Sequence, residues 1–341
     1  SKIGKLLHTG ATGSVSRLEV PDETYLHGPT GESYGDPNDA KTWKGAWRTI
    51  TDPEELETAI MEMNAKQYNQ AENTPFGSGP LADLFGPDGT TQFSSDFLAG
   101  ALVPPEVYDS LTPETQQILD VLQSPSSLQL PTIPNITPEQ FTARYKKVDE
   151  ATSSTYSNRH VGHYKAAGEH PVLSWIHANM ITLPYKEDFA PRRWRDVVDV
   201  IIPKEVGNYK KHRMRIIRLC ESDFNHSLAE MLVYPVGSYL EKQQAYPTTQ
   251  YGSREGRLAV LAVLNKILSY DIVRLLKMVM TAVEYDAIGC YDRIIQSIVA
   301  LYLQNLGYPP KMISAICKTF RLTKHYIRTA FGLSEGTYES T

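Results

Sequence analysis

The sequence predicts an α+β protein in which a series of helices accompanies a few short strands. Apolar residues recur at helical spacing after two helix-start sequences, 51–54 and 137–140, each with a Thr cap, a Pro in the first turn and a Glu or Gln suited to a capping box. Apolar, β-branched runs at 197–202 and 213–219 flank a polar turn and predict two paired strands. With 341 residues, the chain is long enough to bury a substantial core.

Charge is distributed unevenly along the chain. Residues 1–140 hold 20 Asp/Glu and 7 Lys/Arg, whereas residues 141–341 hold 19 Asp/Glu and 27 Lys/Arg. The net charge of −5 therefore combines an acidic first part with a basic second part. This asymmetry favours a polyanionic partner, which the net charge alone would not suggest.

The three cysteines, Cys220, Cys290 and Cys317, are far apart and lie among apolar residues. They predict neither a disulfide framework nor a zinc site, and they favour a reducing, intracellular compartment. No run of 18 apolar residues and no leader pattern occurs, so we expect no membrane span and no signal peptide. The chain begins with Ser, and we expect a piece of a longer product.

The first 135 residues are predicted to support the rest of the chain. Residues 1–45 are rich in Gly, Ser, Thr, Pro and Asp, and we expect a disordered tail. Residues 46–135 are predicted to be a helical, loop-rich extension, with a helix capped by Thr51 and running to about Ala71, and a short helix near 113–122. We expect no catalytic constellation in this region.

A polar loop over 150–165 follows the helix that starts at Thr137. Its hydroxyls, amides and cations are suited to donate hydrogen bonds to phosphates, although an ordinary polar loop is an equally good interpretation. Its candidate nucleic-acid contacts are Ser153, Ser154, His160, His163 and Lys165. The next predicted helix, 171–183, is amphipathic, and its expected core residues are Leu173, Trp175, Ile176 and Met180.

The block from Arg192 to Arg218 carries nine Lys/Arg and three Asp/Glu. It contains the two predicted strands and a polar turn, so it predicts a basic two-stranded ribbon. Such a ribbon is suited to close over a triphosphate, because Lys and Arg neutralise the charge of a transferring phosphoryl group. A solvated basic hairpin with no ligand remains the alternative.

Two further segments complete the set of candidates. Residues 250–257 combine Gln250 with a flexible Gly252 and the two cations Arg254 and Arg257, which are suited to approach a nucleic-acid strand. Before them, residues 222–242 are predicted to be helical, with Pro235 as a kink or end. After them, the apolar helix 258–275 is expected to be buried on more than one side.

The stretch 276–292 is the centre of the prediction. The first part of this stretch is predicted to form a strand that ends at Asp286, and Asp292 is expected to cap the next helix, 293–306. A carboxylate at a strand end facing a cleft is suited to hold Mg²⁺, which prefers oxygen ligands. A helix over 311–320 and a strand over 324–331 follow.

Taken in order, these motifs resemble the reverse transcriptases of non-LTR, LINE-like retrotransposons. Residues 286–293 are similar to the first catalytic motif of the palm, and 250–257 to the Gln-x-Gly-Phe-Arg-x-Gly-Arg element, with Ser253 in place of Phe. The resemblance covers 137–341, about six tenths of the chain.

The resemblance implies an RNA-directed DNA polymerase of the right-hand type, with fingers and the first part of a palm over 136–341. It implies an RNA template, a DNA primer strand and deoxynucleoside triphosphates as partners, and Mg²⁺ or Mn²⁺ as cofactor. Asp286 would be the metal ligand and catalytic residue. Ala287 would line the triphosphate through its backbone, and the ring of Tyr291 would exclude a ribose 2′-hydroxyl.

The resemblance also extends to the fingers hairpin. It implies that Lys204 and Arg215 contact the phosphates of the incoming nucleotide. The sequence departs from the family pattern here, with Met214 in place of Tyr and Ile216 in place of Pro.

The sequence contains neither the Tyr-x-Asp-Asp type motif nor the Gly-Gln-Gly-like segment that the family places downstream. Two-metal catalysis needs further carboxylates, and we expect a chain that lacks the rest of the palm and the thumb and does not polymerise DNA alone. One alternative is a non-catalytic nucleic-acid-binding or structural protein derived from a retroelement. A zinc hydrolase using His160 and His163 is a second alternative, for which no third ligand is nearby.

Overall fold

The computed structural model describes residues 14–24, 26–124, 126–130, 132–150, 152, 155–286 and 293–339. They form an α+β fold, as predicted. The strands are β1 (Leu18–Pro21), β2 (Trp47–Ile50), β3 (Asp196–Pro203), β4 (Met214–Leu219), β5 (Lys324–Thr329), β6 (Gly332–Leu333) and β7 (Tyr338–Glu339). The helices are α1 (Pro53–Tyr68), α2 (Pro80–Phe85), α3 (Gln92–Leu98), α4 (Pro105–Tyr108), α5 (Pro113–Gln123), α6 (Pro138–Lys147), α7 (Val161–Glu169), α8 (Pro171–Glu187), α9 (Arg192–Arg195), α10 (Ser222–Leu228), α11 (Tyr234–Lys242), α12 (Ala259–Leu275), α13 (Gln296–Asn305) and α14 (Pro310–Arg321).

The central sheet has β3 in its interior. β4 pairs with it antiparallel on one side and β5 pairs with it parallel on the other, while β6 and β7 pair with β5. The strands predicted at 197–202, 213–219 and 324–331 are thereby confirmed. Residues that lie opposite each other in neighbouring strands share a face of the sheet. The sheet therefore has two faces of different character, which we call the inner and the outer face.

The inner face is covered by the N-terminal region of the chain. β1 and β2 form an antiparallel pair, and their apolar side chains join those of α1 and the sheet in one buried cluster. The cluster includes Leu18, Ile50, Leu56, Ile60, Ile201, Met214 and Ile327. Within the tail predicted to be disordered over 1–45, Leu18–Pro21 instead form a strand, and Leu18 and Val20 insert into this core.

A buried polar cluster fastens α1 to the inner face. Asp199 of β3 and His325 of β5 are fully buried, and His325 Nδ1 lies 2.9 Å from Asp199 Oδ2. The hydroxyl of Tyr338 donates to the same carboxylate, and the ring of Tyr68, at the end of α1, stacks on His325 at 5.4 Å. Burial lowers the pKa of His325, so the ring is held neutral while its hydrogen bond to Asp199 is kept.

A second core joins helices α6, α7, α8, α10 and α14. α6 begins with the predicted capping box, in which Thr137 Oγ1 accepts from Gln140 N and Gln140 Oε1 accepts from Thr137 N. α1 begins as predicted, but Asp52 rather than Thr51 accepts the capping hydrogen bond, at 3.0 Å from Glu55 N. A third cluster packs α2, α3 and α5 against α13 through Leu301.

Residues 222–242 are helical throughout, as predicted, with a π-helical turn at Ala229–Val233 between α10 and α11. Pro235 lies directly after this turn. Its ring cannot fit against the carbonyl four residues earlier, and one extra residue in the preceding turn removes that clash. Pro235 was predicted to kink or end the helix. The helix instead continues past Pro235 after one widened turn, and Met231 in that turn is buried.

The orientation predicted for α8 is wrong. Leu173, Trp175, Ile176 and Met180 were expected in the core, but they are exposed. The buried side includes the small or hydroxyl-bearing residues Ser174, Ala178 and Thr182, together with Ile181, Pro184 and Tyr185. Small side chains allow α8 to approach α6 and α14 closely, and its larger apolar residues remain outside.

The surroundings predicted for α12 and the strand after it are also wrong. α12 has no buried residue, although it was expected to be buried on more than one side. Residues 276–286 belong to no sheet, because the chain turns at Lys277 (φ 52°) and runs back along α12 to an ion pair between Lys266 and Glu284. No helix among the described residues has both the length and the apolarity needed to cross a membrane.

Candidate phosphate-binding cleft

The β3–β4 hairpin positions the two predicted triphosphate contacts. Lys204 follows the last residue of β3, and its backbone N–H donates to Arg213 O at 2.8 Å. Arg215 lies in β4 opposite Ile202. The turn between the strands uses Gly207 at φ 84°, a conformation that favours glycine. Both cationic side chains are exposed.

Lys204 and Arg215 line the same cleft. The cleft has a volume of about 1070 Å³ and lies between the outer edge of β4, the exposed side of α1, and residues 38–41. Arg293 also lines this cleft. The structure therefore brings together two residues that the sequence predicted as a pair and a region that was expected to be only a scaffold.

Cations outnumber acids in the wall of this cleft. Its cations are Lys41, Arg48, Lys66, Lys204, Lys211, Arg215 and Arg293, and its acids are Glu23, Asp39, Glu55 and Glu62. Arg48 and Glu55 form an ion pair with each other. Among the ion pairs of the described residues, none uses Lys66, Lys204, Lys211 or Arg215. These four are available to an anion.

His212 reports the electrostatic environment of the cleft. Burial lowers its pKa, and the nearby cations Arg213, Lys210 and Lys204 lower it further. The imidazole is therefore neutral at neutral pH, and the positive potential comes from Lys and Arg alone. The side chain of Lys210 lies over the ring of Trp47, 4.5 Å from its centroid, and this fixes the base of the hairpin against β2.

A smaller cleft of about 650 Å³ continues from the first along the end of α1. Its lining includes Lys66, Gln70 and Arg293, and Arg293 Nε donates to Gln70 Oε1 at 2.8 Å. Arg293 follows the segment that contains Ala287 and Tyr291, which lie outside the described residues. The chain thus returns to the basic cleft directly after the motif that begins at Asp286.

Asp286 itself does not line either cleft. It lies at the end of the exposed segment that follows α12, rather than at the end of a sheet strand as predicted. Within the described ranges, no group of three or more His, Cys, Asp or Glu side chains is placed to hold a metal ion. The described residues therefore do not by themselves assemble a metal site around Asp286.

The polar loop ahead of α7 is more structured than expected, because α7 begins at Val161. Nδ1 of His160 accepts from Gly162 N at 3.1 Å, and Nδ1 of His163 accepts from His160 N at 3.2 Å, so both rings cap the helix. Lys165 lies 3.4 Å from Glu150. Ser153 and Ser154 lie outside the described residues.

The element at 250–257 folds around Arg254. Its guanidinium makes two hydrogen bonds to the Glu241 carboxylate, at 2.6 and 2.9 Å, and two more to the carbonyls of Pro247 and Gln250. Arg254 therefore stabilises its own loop. The predicted contact between Arg254 and a phosphate would require some of these hydrogen bonds to break. Gln250 Nε2 donates to Gly252 O at 3.1 Å. Arg257 is exposed.

The side of α1 that lines the cleft has a polar pattern in the sequence, which the prediction from the apolar residues of this helix did not use. Thr58, Glu62 and Lys66 recur every four residues and continue to Gln70, so they form one polar stripe on a helix. Nothing in that spacing indicates that the hairpin, more than 130 residues later, lies opposite. Comparison with protein-family profiles and with curated proteins finds no match to this chain.

Proposed function

We propose that this chain is a reverse-transcriptase-like protein that binds nucleotide and nucleic-acid phosphates in the basic cleft beside the β3–β4 hairpin. The observation that carries the proposal is the placement of Lys204 and Arg215 in one cleft with five further cations. Paired Lys and Arg side chains stabilise the charge of phosphoryl groups. The resemblance of the sequence to the fingers hairpin supplies the choice of ligand.

Within this proposal, Asp286 would hold Mg²⁺ or Mn²⁺ together with further carboxylates, and the metal would supply neutralisation of phosphate charge for template-directed nucleotidyl transfer. Two-metal transfer needs more carboxylates than Asp286 provides, and the described residues bring together no group of three or more His, Cys, Asp or Glu side chains that could hold a metal ion. Catalysis therefore requires additional carboxylates to join Asp286, and the role of the described residues is to bind and orient phosphates.

One observation favours a second candidate, a non-catalytic nucleic-acid-binding protein derived from a retroelement. Asp286 lies on the exposed segment along α12 and does not line the cleft, so phosphate binding there has no need of it. Magnesium-dependent nucleotide binding that is abolished by Asp286→Ala supports the polymerase-type protein. Binding of single-stranded RNA that is indifferent to Asp286→Ala supports the second candidate.

The experiment that tests the cleft is calorimetric titration of the whole chain with deoxyadenosine triphosphate, with and without Mg²⁺. We expect Lys204→Ala and Arg215→Ala each to weaken binding about 10-fold, because each removes a charge-assisted contact to a phosphate. Lys146→Ala is the matched control, since Lys146 is an exposed lysine on α6, which does not line the cleft. Equal affinity of the wild type, Lys204→Ala and Arg215→Ala would contradict the proposal.

A further inference from the structure

The outer face of the central sheet is more exposed than the inner face at β4, although Val198 of β3 on that face is fully buried. Inner-face residues such as Asp199, Ile201 and Ile327 are fully buried, whereas Ile217 on the outer face is 42% exposed and Val200 is half-buried. The register places the following residues on the outer face: Asp196, Val198, Val200 and Ile202 of β3, Arg215, Ile217 and Leu219 of β4, and Lys324, Tyr326 and Arg328 of β5.

Two tyrosines form a stacked pair on this face. The ring of Tyr156 lies on the ring of Tyr326 with 4.1 Å between the centroids and 21° between the planes. Tyr156 is 37% exposed and belongs to none of the buried clusters of the described residues. It is therefore the outer ring of the pair.

Buried hydrogen bonds hold the loop that carries Tyr156 in place. Thr155 is buried and its hydroxyl donates to the Glu221 carboxylate, which also receives Arg193 Nη1 at 2.6 Å. Asn158 adopts φ 55°, which turns the chain directly after Tyr156. These contacts fix the position of Tyr156, so its exposed ring is preorganised rather than a flexible surface side chain.

Cations lie along the outer face on which the stacked pair stands. Arg215, Lys324 and Arg328 lie on the outer face, and Arg192 is close enough to Tyr326 to affect its ionisation electrostatically. The acids that the register places on this face are Asp196 of β3 and Glu339 of β7, which lies opposite Lys324. Among the ion pairs of the described residues, none involves these four cations.

We propose that the Tyr156–Tyr326 pair is a stacking platform for a base of single-stranded RNA, whose backbone crosses the outer face over these four cations. An exposed aromatic ring offers a base a sequence-independent contact, and nearby cations follow the phosphates. Charge complementarity therefore selects a nucleic acid over a protein segment. A duplex does not fit, because its bases are already stacked on each other.

The platform also offers partners for the ribose hydroxyl. The carboxylate of Asp196, which affects the ionisation of Tyr326, and the tyrosine hydroxyls are hydrogen-bonding groups at the pair. Hydrogen bonding to Tyr156 and partial burial raise the pKa of Tyr326 to about 12, so its ring is uncharged at neutral pH. A 2′-hydroxyl both donates and accepts, which favours RNA over DNA at this place.

The platform adjoins the basic cleft around the edge of β4, since Arg215 and Ile217 belong to both. The inference rests on the proposed function only for the class of ligand. The cleft would hold phosphates, and the platform would hold a base.

The test compares a 12-nucleotide single-stranded oligouridine with an abasic strand of the same length by fluorescence anisotropy with the whole chain. We expect the wild type to bind the base-containing strand about 5- to 100-fold more tightly, the range of a stacking contact. Tyr156→Ala should bring the two affinities together. Tyr156→Phe, which keeps the ring, should preserve the preference.

Tyr302→Ala is the matched control, because Tyr302 is an exposed tyrosine on α13 and should leave the preference unchanged. Circular dichroism confirms that each variant folds. A preference that survives Tyr156→Ala, or that is lost equally in Tyr302→Ala, overturns the platform. Equal binding of single-stranded DNA by the wild type overturns the assignment to RNA.

The two proposals fail separately. Loss of triphosphate binding in Lys204→Ala with an unchanged strand preference in Tyr156→Ala overturns the platform alone. A base preference that depends on Tyr156, with triphosphate binding indifferent to Lys204 and Arg215, overturns the cleft alone.

Discussion

Helices α12 and α14 are opposite cases of how apolar sequence relates to burial. α14 buries Met312, Ile313, Ala315, Ile316 and Cys317, whereas Lys311 is exposed and Arg321 is half-buried in an ion pair with Asp88. α12 is the more apolar of the two, yet it has no buried residue. The difference teaches that apolar content indicates that a helix needs a partner, whereas a sharp division into apolar and polar sides indicates where the partner lies.

The largest expected difference between the two helices is in side-chain truncation. Ile313→Ala in α14 should lower the free energy of unfolding by about 2–5 kcal/mol, because Ile313 is 1% exposed and its removal leaves a cavity. Leu268→Ala in α12 should change it by less than about 0.5 kcal/mol, because Leu268 is half exposed. Urea denaturation measures both. A large loss of unfolding free energy in Leu268→Ala would show that α12 is covered in solution. It would contradict the difference in burial between the two helices.

The core beneath α14 should also make stability depend on pH. His226 is fully buried against Phe141 and Tyr145, with Glu230 Oε1 3.8 Å from Nε2. Burial and, to a smaller extent, the nearby cation Arg144 lower its pKa to about 4, while Asp223 opposes this shift. The unfolded chain therefore binds a proton at a higher pH than the folded chain, and stability falls as the pH drops from about 6.5 to about 4.

The expected loss over that window is about 3 kcal/mol, obtained from the difference between the two pKa values. Unfolding free energies at pH 7, 6 and 5 should show this slope, and His226→Phe should reduce it. His325, His177 and His212 also have lowered pKa values and give a residual slope of the same sign. A slope unchanged by the substitution would mean that His226 is hydrated.

The smallest expected effect concerns the first turns of the helices. Thr137→Ala removes the capping box of α6, which carries Phe141 and Tyr145 into the same core as α14, and should cost about 1 kcal/mol. α12 begins at Leu258 without a side-chain cap. Leu258→Ser should therefore change the unfolding free energy by less than about 0.5 kcal/mol, unless α12 packs against the folded protein.

The predictable part of the fold was the part governed by local chemistry. The capping sequence at Thr137, the basic hairpin around Lys204 and the amphipathic helix α14 each contain their own signal, and each formed where expected. The burial of Leu18 and Val20 was not predictable, because a four-residue strand in a polar region becomes buried only through distant partners.

Only one wall of the candidate cleft could be predicted from the sequence. Lys204 and Arg215 followed from the basic ribbon, but the opposing wall with Lys66 depends on how α1 docks on the sheet. The orientation of α8 failed for a related reason. Both of its sides are apolar, and close packing of Ser174 and Ala178 selected the side with small residues, which hydrophobicity alone does not rank.

The buried pair of Asp199 and His325 has a consequence for the order in which the protein folds. The two residues are 126 positions apart along the chain, and β3 pairs with β5 directly across that interval. Closing a flexible loop of this length costs about 4 kcal/mol in chain entropy, so this pairing is disfavoured until intervening helices have shortened the loop. During synthesis, β3 and β4 emerge as a hairpin long before β5 is made. The inner face of the sheet can therefore be completed only after the end of the chain has been made. His325 and Tyr338 can pack against Tyr68 of α1 only in the last steps of folding.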